Sequence, residues 1–216
     1  RRTTALRFWK PRDAKAIASL VESGESFYLL PLQLNSDAQI RDHSRFENMA
    51  QVMEYVLESF ARYAPVQSKL VIKNHPLDMG HFDHRSVVRA LENRFDLHGR
   101  VIYLESGDLD LLVKHAKGVV TVNSTVGSVS LGADCPTITL SDPIYNLPGL
   151  TFQESLDDFW RQGEAPNREL FRRFRNAVIH CTQINGGFYC RKGIDLAVRN
   201  SADILEGEVS PLEALM

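Results

Sequence analysis

Hydrophobic and polar positions along this chain follow two periods. Apolar, largely β-branched runs fall at Ser26–Leu32 (SFYLLPL), Lys69–Lys73, Val101–Leu104 (VIYL), Val119–Val122 and Thr137–Leu140. They predict five strands, and the unbroken apolar character of VVTV and TITL suits strands covered on both faces. Between them, apolar residues recur at three- and four-residue spacing. Met49, Val52, Met53, Val56, Leu57 and Phe60 make one helical stripe; Val87, Val88, Leu91 and Phe95 make another. A short helix is expected over Leu109–His115 and a small-residue helix over Thr125–Ala133. Strands alternating with helices predict an α/β fold: a Rossmann-like, doubly wound parallel sheet of about five strands.

Past residue 141 the pattern changes. SDPIYNLPGL reads as a Pro/Gly-rich loop, and SLDDFW opens like a capped helix, with Ser155 as N-cap and Asp157 and Asp158 in its first turn. A longer helix over residues 167–183 is expected to bury Leu170, Phe171, Phe174 and Val178. Its Arg168, Arg172, Arg173 and Arg175 then form a solvated face. Residues 1–23 also read as helical. The expected organisation is a helical lead-in (1–23), the Rossmann-like domain (24–145), a loop with closing helices (146–200) and a loose tail (201–216).

Composition narrows the classes. With 216 residues, 44% hydrophobic and 24% charged, the chain can build a sizeable core. A net charge of −2 offers no basic face for nucleic acid. No run approaches the roughly 18 apolar residues of a membrane span. The N-terminal end is basic (Arg1, Arg2, Arg7, Lys10, Arg12) without the apolar stretch of a signal peptide, and it lacks a starting Met, as expected of a fragment or an engineered chain. Three cysteines (Cys135, Cys181, Cys190) without a CxxC favour reduced thiols.

In an open parallel sheet, ligands bind beyond the carboxyl ends of the strands. The polar strand ends therefore share one rim: Gln33 and then Asn35, Ser36, Asp37 and Gln39; Lys73, Asn74 and His75; Glu105 and Ser106; Asn123, Ser124 and Thr125; Ser141 and Asp142. The turn NSTVGS, between a strand and a helix, reads either as an anion site or as ordinary capping. In the first case backbone N–H groups and the Ser124 and Thr125 hydroxyls donate, and Gly127 permits close approach. His75 precedes Pro76, which holds its backbone extended; it is either structural or a ligand for a phosphate across the cleft. Asp37 suits a turn or a general base equally. HPLDMGHFDH raises a metal site on His75, His81 and His84, but there is no HExxH or cysteine cluster. GxGxxG, GxxxxGK[ST] and GxSxG are absent.

Taken in order, LPLQLNSDAQI, KNHP, TVNSTVGSVSLGADCPTITL and DPIYNLPGLTFQESLDDFW resemble the bacterial capsule polysaccharide synthesis/export family, in particular its KpsS-like capsular Kdo transferases. The resemblance covers residues 26–190. It implies an inverting β-Kdo glycosyltransferase that uses CMP-Kdo and a lyso-phosphatidylglycerol-type lipid acceptor. It places that enzyme on the cytoplasmic side of the inner membrane, peripheral to it, among the proteins of capsule assembly. The nucleotide-sugar donor and the lipid acceptor are the implied partners; neither a metal nor a cofactor is implied. It also implies a GT-B architecture, of which this chain is expected to be the C-terminal, donor-binding half, with residues 1–23 left from the domain junction and little activity alone. Carried onto this sequence, His75 and Asp37 are the implied catalytic residues. Ser124 and Thr125 are implied to hold the CMP phosphate with His75, and Gln39 to lie near the reacting centre with Asp37; the strand-end rim adds Gln33, Lys73, Asn74, Asn123 and Gly127 as candidate donor-binding residues. Two other readings stand beside it: a non-catalytic capsule assembly or export protein, and a metal-dependent enzyme built on the histidine cluster.

Overall fold

A computed structural model describes the backbone of residues 2–215. The side chains of residues 1–8, 203, 215 and 216 lie outside the described set, and with them Arg1, Arg2 and Arg7 of the basic N-terminal end. The five expected strands form within two residues of their expected bounds: β1 (Phe27–Pro31), β2 (Lys69–Lys73), β3 (Val101–Leu104), β4 (Gly118–Thr121) and β5 (Thr137–Thr139). All pair in parallel, in the order β3-β2-β1-β4-β5, with Leu29 opposite both Val71 and Val119. The helices are α1 (Arg2–Ser23), α2 (Ala38–Arg41), α3 (Met49–Tyr63), α4 (His84–Arg94), α5 (Leu109–His115), α6 (Val126–Gly132), α7 (Leu156–Gln162), α8 (Arg168–Cys181) and α9 (Arg191–Glu206).

Alternation along the strands feeds two cores. Tyr28, Leu30, Leu70, Ile72 and Val120 point to one face, where α3, α4 and α7 pack. Phe27, Leu29, Val71 and Val119 point to the other, under Ile17 and Leu20 of α1 and Leu112 and Val113 of α5. Helix α3 starts because Asn48 Oδ1 accepts the N–H groups of Ala50 (2.9 Å) and Gln51 (3.1 Å). It ends at Ala64, whose extended backbone is what the following Pro65 demands. Its Met53, Val56, Leu57 and Phe60 are wholly buried, each contributing roughly 1.5–3 kcal/mol.

The compact unit that holds the sheet runs over Arg1–Asn167, so both α1 and α7 belong to it. The expected boundaries at 23 and 145 mark where strand patterning starts and stops, not where packing does. Asp13 of α1 is buried and accepts the N–H groups of Glu105 (3.0 Å) and Ser106 (2.9 Å) and the Ser106 hydroxyl (3.2 Å). That ties the first helix to the end of β3. In α7, Ser155 caps through Asp158 N (3.2 Å), as its sequence signature predicts, and Phe159 and Trp160 enter the core.

The second unit, Arg168–Met216, carries α8 and α9. Two expectations fail there. Leu170, Phe171, Phe174 and Val178 of α8 are not buried: periodicity reveals a stripe but cannot supply the layers needed to enclose it. Residues 201–206 are not loose but complete α9, and Glu213–Leu215 adds a 3₁₀ turn. The arginines do form a solvated face, with Glu169 pairing Arg172 and Arg173 at 2.8 Å.

The three cysteines are unpaired. Cys135 is buried against the Ala116 carbonyl (Sγ 3.6 Å), and burial pushes its thiol up to about 12. Since the thiolate is the reactive form, a disulfide reagent near neutral pH is expected to label the exposed Cys190 in the folded protein and Cys135 only after unfolding. Native labelling of Cys135 at the rate of Cys190 would contradict this packing.

Candidate functional site

β1 lies between β2 and β4, and the connections leaving β1 and β4 diverge. Helix α3 packs on one face, while Val126, at the start of α6, packs on the other. The strand order reverses at this point, and a crevice opens beyond the carboxyl ends. It is a cleft of about 520 Å³, within the range of small-molecule sites. Gln33, Asp37, Gln39 and His43 line it from the β1–α3 connection. His75 enters from β2, Asn123, Ser124, Thr125 and Ser128 from β4 and α6, and Asp142–Tyr145 from beyond β5.

The expected residues divide into groups that face the cleft freely and groups that build it. Gln33 is buried and exchanges two hydrogen bonds with Asn123: its Nε2 donates to Oδ1 (3.0 Å), and Asn123 N donates to its Oε1 (3.3 Å). The Asn123 amide then donates to the carbonyls of Gln39 (2.7 Å) and His43 (3.3 Å), folding the β1–α3 loop over the crevice. Both side chains are therefore positioning groups. Asp37 is the N-cap of α2, its Oδ1 accepting from Gln39 N (3.0 Å), so the turn role is real, and the carboxylate lines the cleft as well.

The turn NSTVGS departs from a backbone anion cradle. Ser124 N donates to Thr121 Oγ1 (3.3 Å), Val126 N to Ser124 Oγ (3.2 Å) and Gly127 N to Ser124 O (2.9 Å). Helix α6 has only seven residues, and Thr125, its N-cap, makes no side-chain cap bond. Most of the amides counted on from sequence are spent within the turn; the residues that line the cleft there include Thr125 and Ser128.

Gly127 acts through packing. A Cβ there would meet the Tyr145 ring at 2.3–2.5 Å. Tyr145 is buried, its phenol pushed up by burial, and its hydroxyl donates to the Ser124 carbonyl. The tyrosine thus clamps the turn from beyond β5. Gly127→Ala is expected to displace it, with a loss of about 1–3 kcal/mol in a urea melt; an unchanged melt would mean that the clamp carries no weight.

His75 donates its N–H to Asn74 Oδ1 (2.8 Å), and its Nδ1 accepts from Leu77 N (3.1 Å). The neutral ring therefore carries its proton on Nε2. Lys73 and Asn74 do not line the cleft. Asn74 Nδ2 donates to Asp78 (2.9 Å) and Glu105 (3.0 Å), pinning the His-Pro loop to the end of β3. Lys73 is buried; burial pushes its ammonium down, partly offset by Asp13 of α1. Residue order places these two at the rim, but Lys73 lies toward Asp13 and the Asn74 amide is spent on Asp78 and Glu105.

The histidine cluster does not assemble. His81 is exposed and His84 is buried beside Phe82 (4.9 Å). Among the described residues, no group of three His, Cys, Asp or Glu side chains is arranged to hold a metal. A smaller pocket, about 250 Å³, lies between α1, α4 and β3. There Arg85 stacks on Trp9 (4.0 Å) and Tyr103 (4.8 Å) and pairs with Glu105 (3.5 Å). Among the described residues, no helix is long and apolar enough to cross a membrane.

Sequence reasoning missed His43 and Tyr145. The only signal for either was a polar or aromatic residue in a loop beyond a strand end, which is too common to be selective.

A family profile described as "Capsule polysaccharide biosynthesis protein" matches residues 1–189. The chain is 39% identical over 176 residues to the capsule polysaccharide modification protein LipB of Neisseria meningitidis serogroup A, covering 80% of this chain and 42% of that protein. It is 35% identical over 184 residues to the capsule polysaccharide export protein KpsS of Escherichia coli, covering 85% of this chain and 47% of that one. Among solved structures, the beta Kdo 2,7 transferase part of Thermosulfurimonas dismutans KpsC aligns at 17% identity with a TM-score of 0.45, over 77% of this chain and 61% of that one. The chain spans less than half the length of the curated relatives it matches.

Proposed function

Since this chain belongs to the capsule polysaccharide biosynthesis protein family, we propose that its cleft is the donor site of a capsular glycosyltransferase. In this reading the donor is a CMP-activated sugar acid, CMP-Kdo, and the acceptor is a lyso-phosphatidylglycerol-type lipid at the cytoplasmic face of the inner membrane. The Arg1–Asn167 unit is then the donor half of a two-domain GT-B enzyme, and transfer requires the other half. The observation that carries the proposal is the convergence of His75, Thr125 and Ser128 on one cleft at the switch point of the sheet.

The chemistry follows from charge. A sugar leaving from a nucleoside monophosphate develops negative charge on phosphate oxygen. Donors aimed at that oxygen stabilise it more as the charge grows, which lowers the barrier rather than only tightening binding. Nε2–H of His75 and the two hydroxyls are such donors. Pro143 and the 71% exposed Ile144 offer an apolar wall for the base. Asp37 is the carboxylate assigned to the reacting centre. The anomeric configuration of the product, read by NMR, tells whether it takes the acceptor's proton or attacks the sugar itself.

Calorimetric titration with CMP tests the donor site. Saturable binding at micromolar to millimolar concentration is expected, and the absence of any heat or NMR change at millimolar CMP would remove the proposal. The export role in the name of the Escherichia coli relative favours one other reading, a non-catalytic assembly protein; that protein would bind no CMP.

A further inference from the structure

Two histidines line the cleft, and the donor-site reading uses only one of them. His43 lies between α2 and α3, with an exposed side chain on the cleft wall. Its carbonyl accepts from Asn123 Nδ2 (3.3 Å) and from the Ser141 hydroxyl. Those donors come from the ends of β4 and β5, so two neighbouring strands fix one loop residue. Arg41 and Asp42 beside it pair with each other (3.6 Å), and Arg45 stacks on Phe46 (5.0 Å) and Tyr55 (4.4 Å). The nearby arginines therefore have other partners.

The charge of the lining gives this placement a purpose. Asp37 and Asp142 line the cleft, and among its described lining residues there is no lysine or arginine. With both imidazoles neutral, the lining carries two carboxylate charges and repels phosphate. Protonation of His43, tied to β4 and β5, offsets one of those charges, while His75 Nδ1 stays engaged by Leu77 N (3.1 Å). Histidine is the side chain that changes charge between about pH 5 and 8. The remaining groups around the pair do not substitute for it: Tyr145 stays neutral, Asp78 and Glu105 are held by Asn74, and Lys73 is buried facing Asp13.

We infer that His43 is a second ligand for the donor's phosphate, acting in its protonated form, so that binding a phosphate-bearing nucleotide takes up a proton at His43. This rests on the donor-site reading and states how a cleft without fixed cations neutralises its anion.

The test follows the histidine C2–H resonances by proton NMR between about pH 5 and 9, without ligand and with saturating CMP. Signals are assigned by their loss in His43→Gln and His75→Gln. The His43 midpoint is expected to rise by about one pH unit with CMP, as for a group gaining an opposite charge nearby. Calorimetry in two buffers of different ionisation enthalpy, at about pH 7.5 where CMP is already a dianion, is expected to show proton uptake that shrinks in His43→Gln. A His43 midpoint unmoved by CMP overturns the inference and leaves the donor site standing. CMP binding that needs added magnesium, with both midpoints unmoved, also overturns it and gives the neutralising role to a cation on Asp37 and Asp142. Failure to bind CMP at any pH removes the donor site and this inference together.

Discussion

Replacing His75 with alanine is expected to weaken CMP binding by roughly ten- to a hundredfold. The figure follows from the value of a hydrogen bond to a charged group, about 1.5–3 kcal/mol, at about 1.4 kcal/mol per factor of ten. The geometry supports the upper part of that range. Pro76 keeps the His75 backbone extended, Asn74 Oδ1 holds its N–H at 2.8 Å, and Leu77 N holds Nδ1 at 3.1 Å. Little is left to order when a phosphate arrives, so little of the bond is lost to entropy. The lost bond to Leu77 should itself cost the fold about 1 kcal/mol. Calorimetry and a urea melt on the same preparation separate the two effects. Wild-type CMP affinity in a folded His75→Ala protein would take the phosphate role away from this residue.

The largest effect on stability is expected at Trp160. Its ring is 1% exposed and meets Tyr28, Phe60 and Phe159 at 5.0, 5.2 and 5.9 Å between centroids. Its Nε1 donates to Ser59 Oγ (2.8 Å), which in turn donates to Asp157 (2.5 Å). Truncation to alanine removes the ring, opens a cavity between α3 and α7 and takes one hydrogen-bond donor from the Ser59 hydroxyl, a combination that costs about 3–5 kcal/mol. Trp160→Phe keeps most of the volume and should cost about 1–2 kcal/mol, mainly for the lost hydrogen bond. A Trp160→Ala protein within about 1 kcal/mol of wild type would mean that α7 is an attached segment and not part of the sheet's core.

The two substitutions probe features that differed greatly in legibility. The strands could be read from short apolar runs: LVI between the two lysines of β2 and VIYL in β3 stand out against their polar surroundings, and β2 and β3 begin and end with those segments. The α3 stripe was equally plain, since Met49 through Phe60 must all reach one layer. The His-Pro and NST turns were visible as candidate chemistry because strand ends in a parallel sheet share a rim. Family membership was legible as well, through four short motifs in fixed order.

What a side chain at the rim does could not be read this way. Lys73 and His75 are two residues apart, yet one is buried toward Asp13 and the other lines the cleft. Gln33 and Asn123, ninety positions apart, spend their amides on each other and on the loop that carries His43. Tyr145 matters because Gly127 has no side chain where its ring lies. Sequence by itself determined the elements, the two-faced core and the edge of the sheet at which ligands gather, because burial acts on each residue through its near neighbours. Only the tertiary structure decided which polar groups remain for a ligand. A hydrogen bond consumes both partners wherever they lie in the chain, and the groups left over are known only once every pairing has been made.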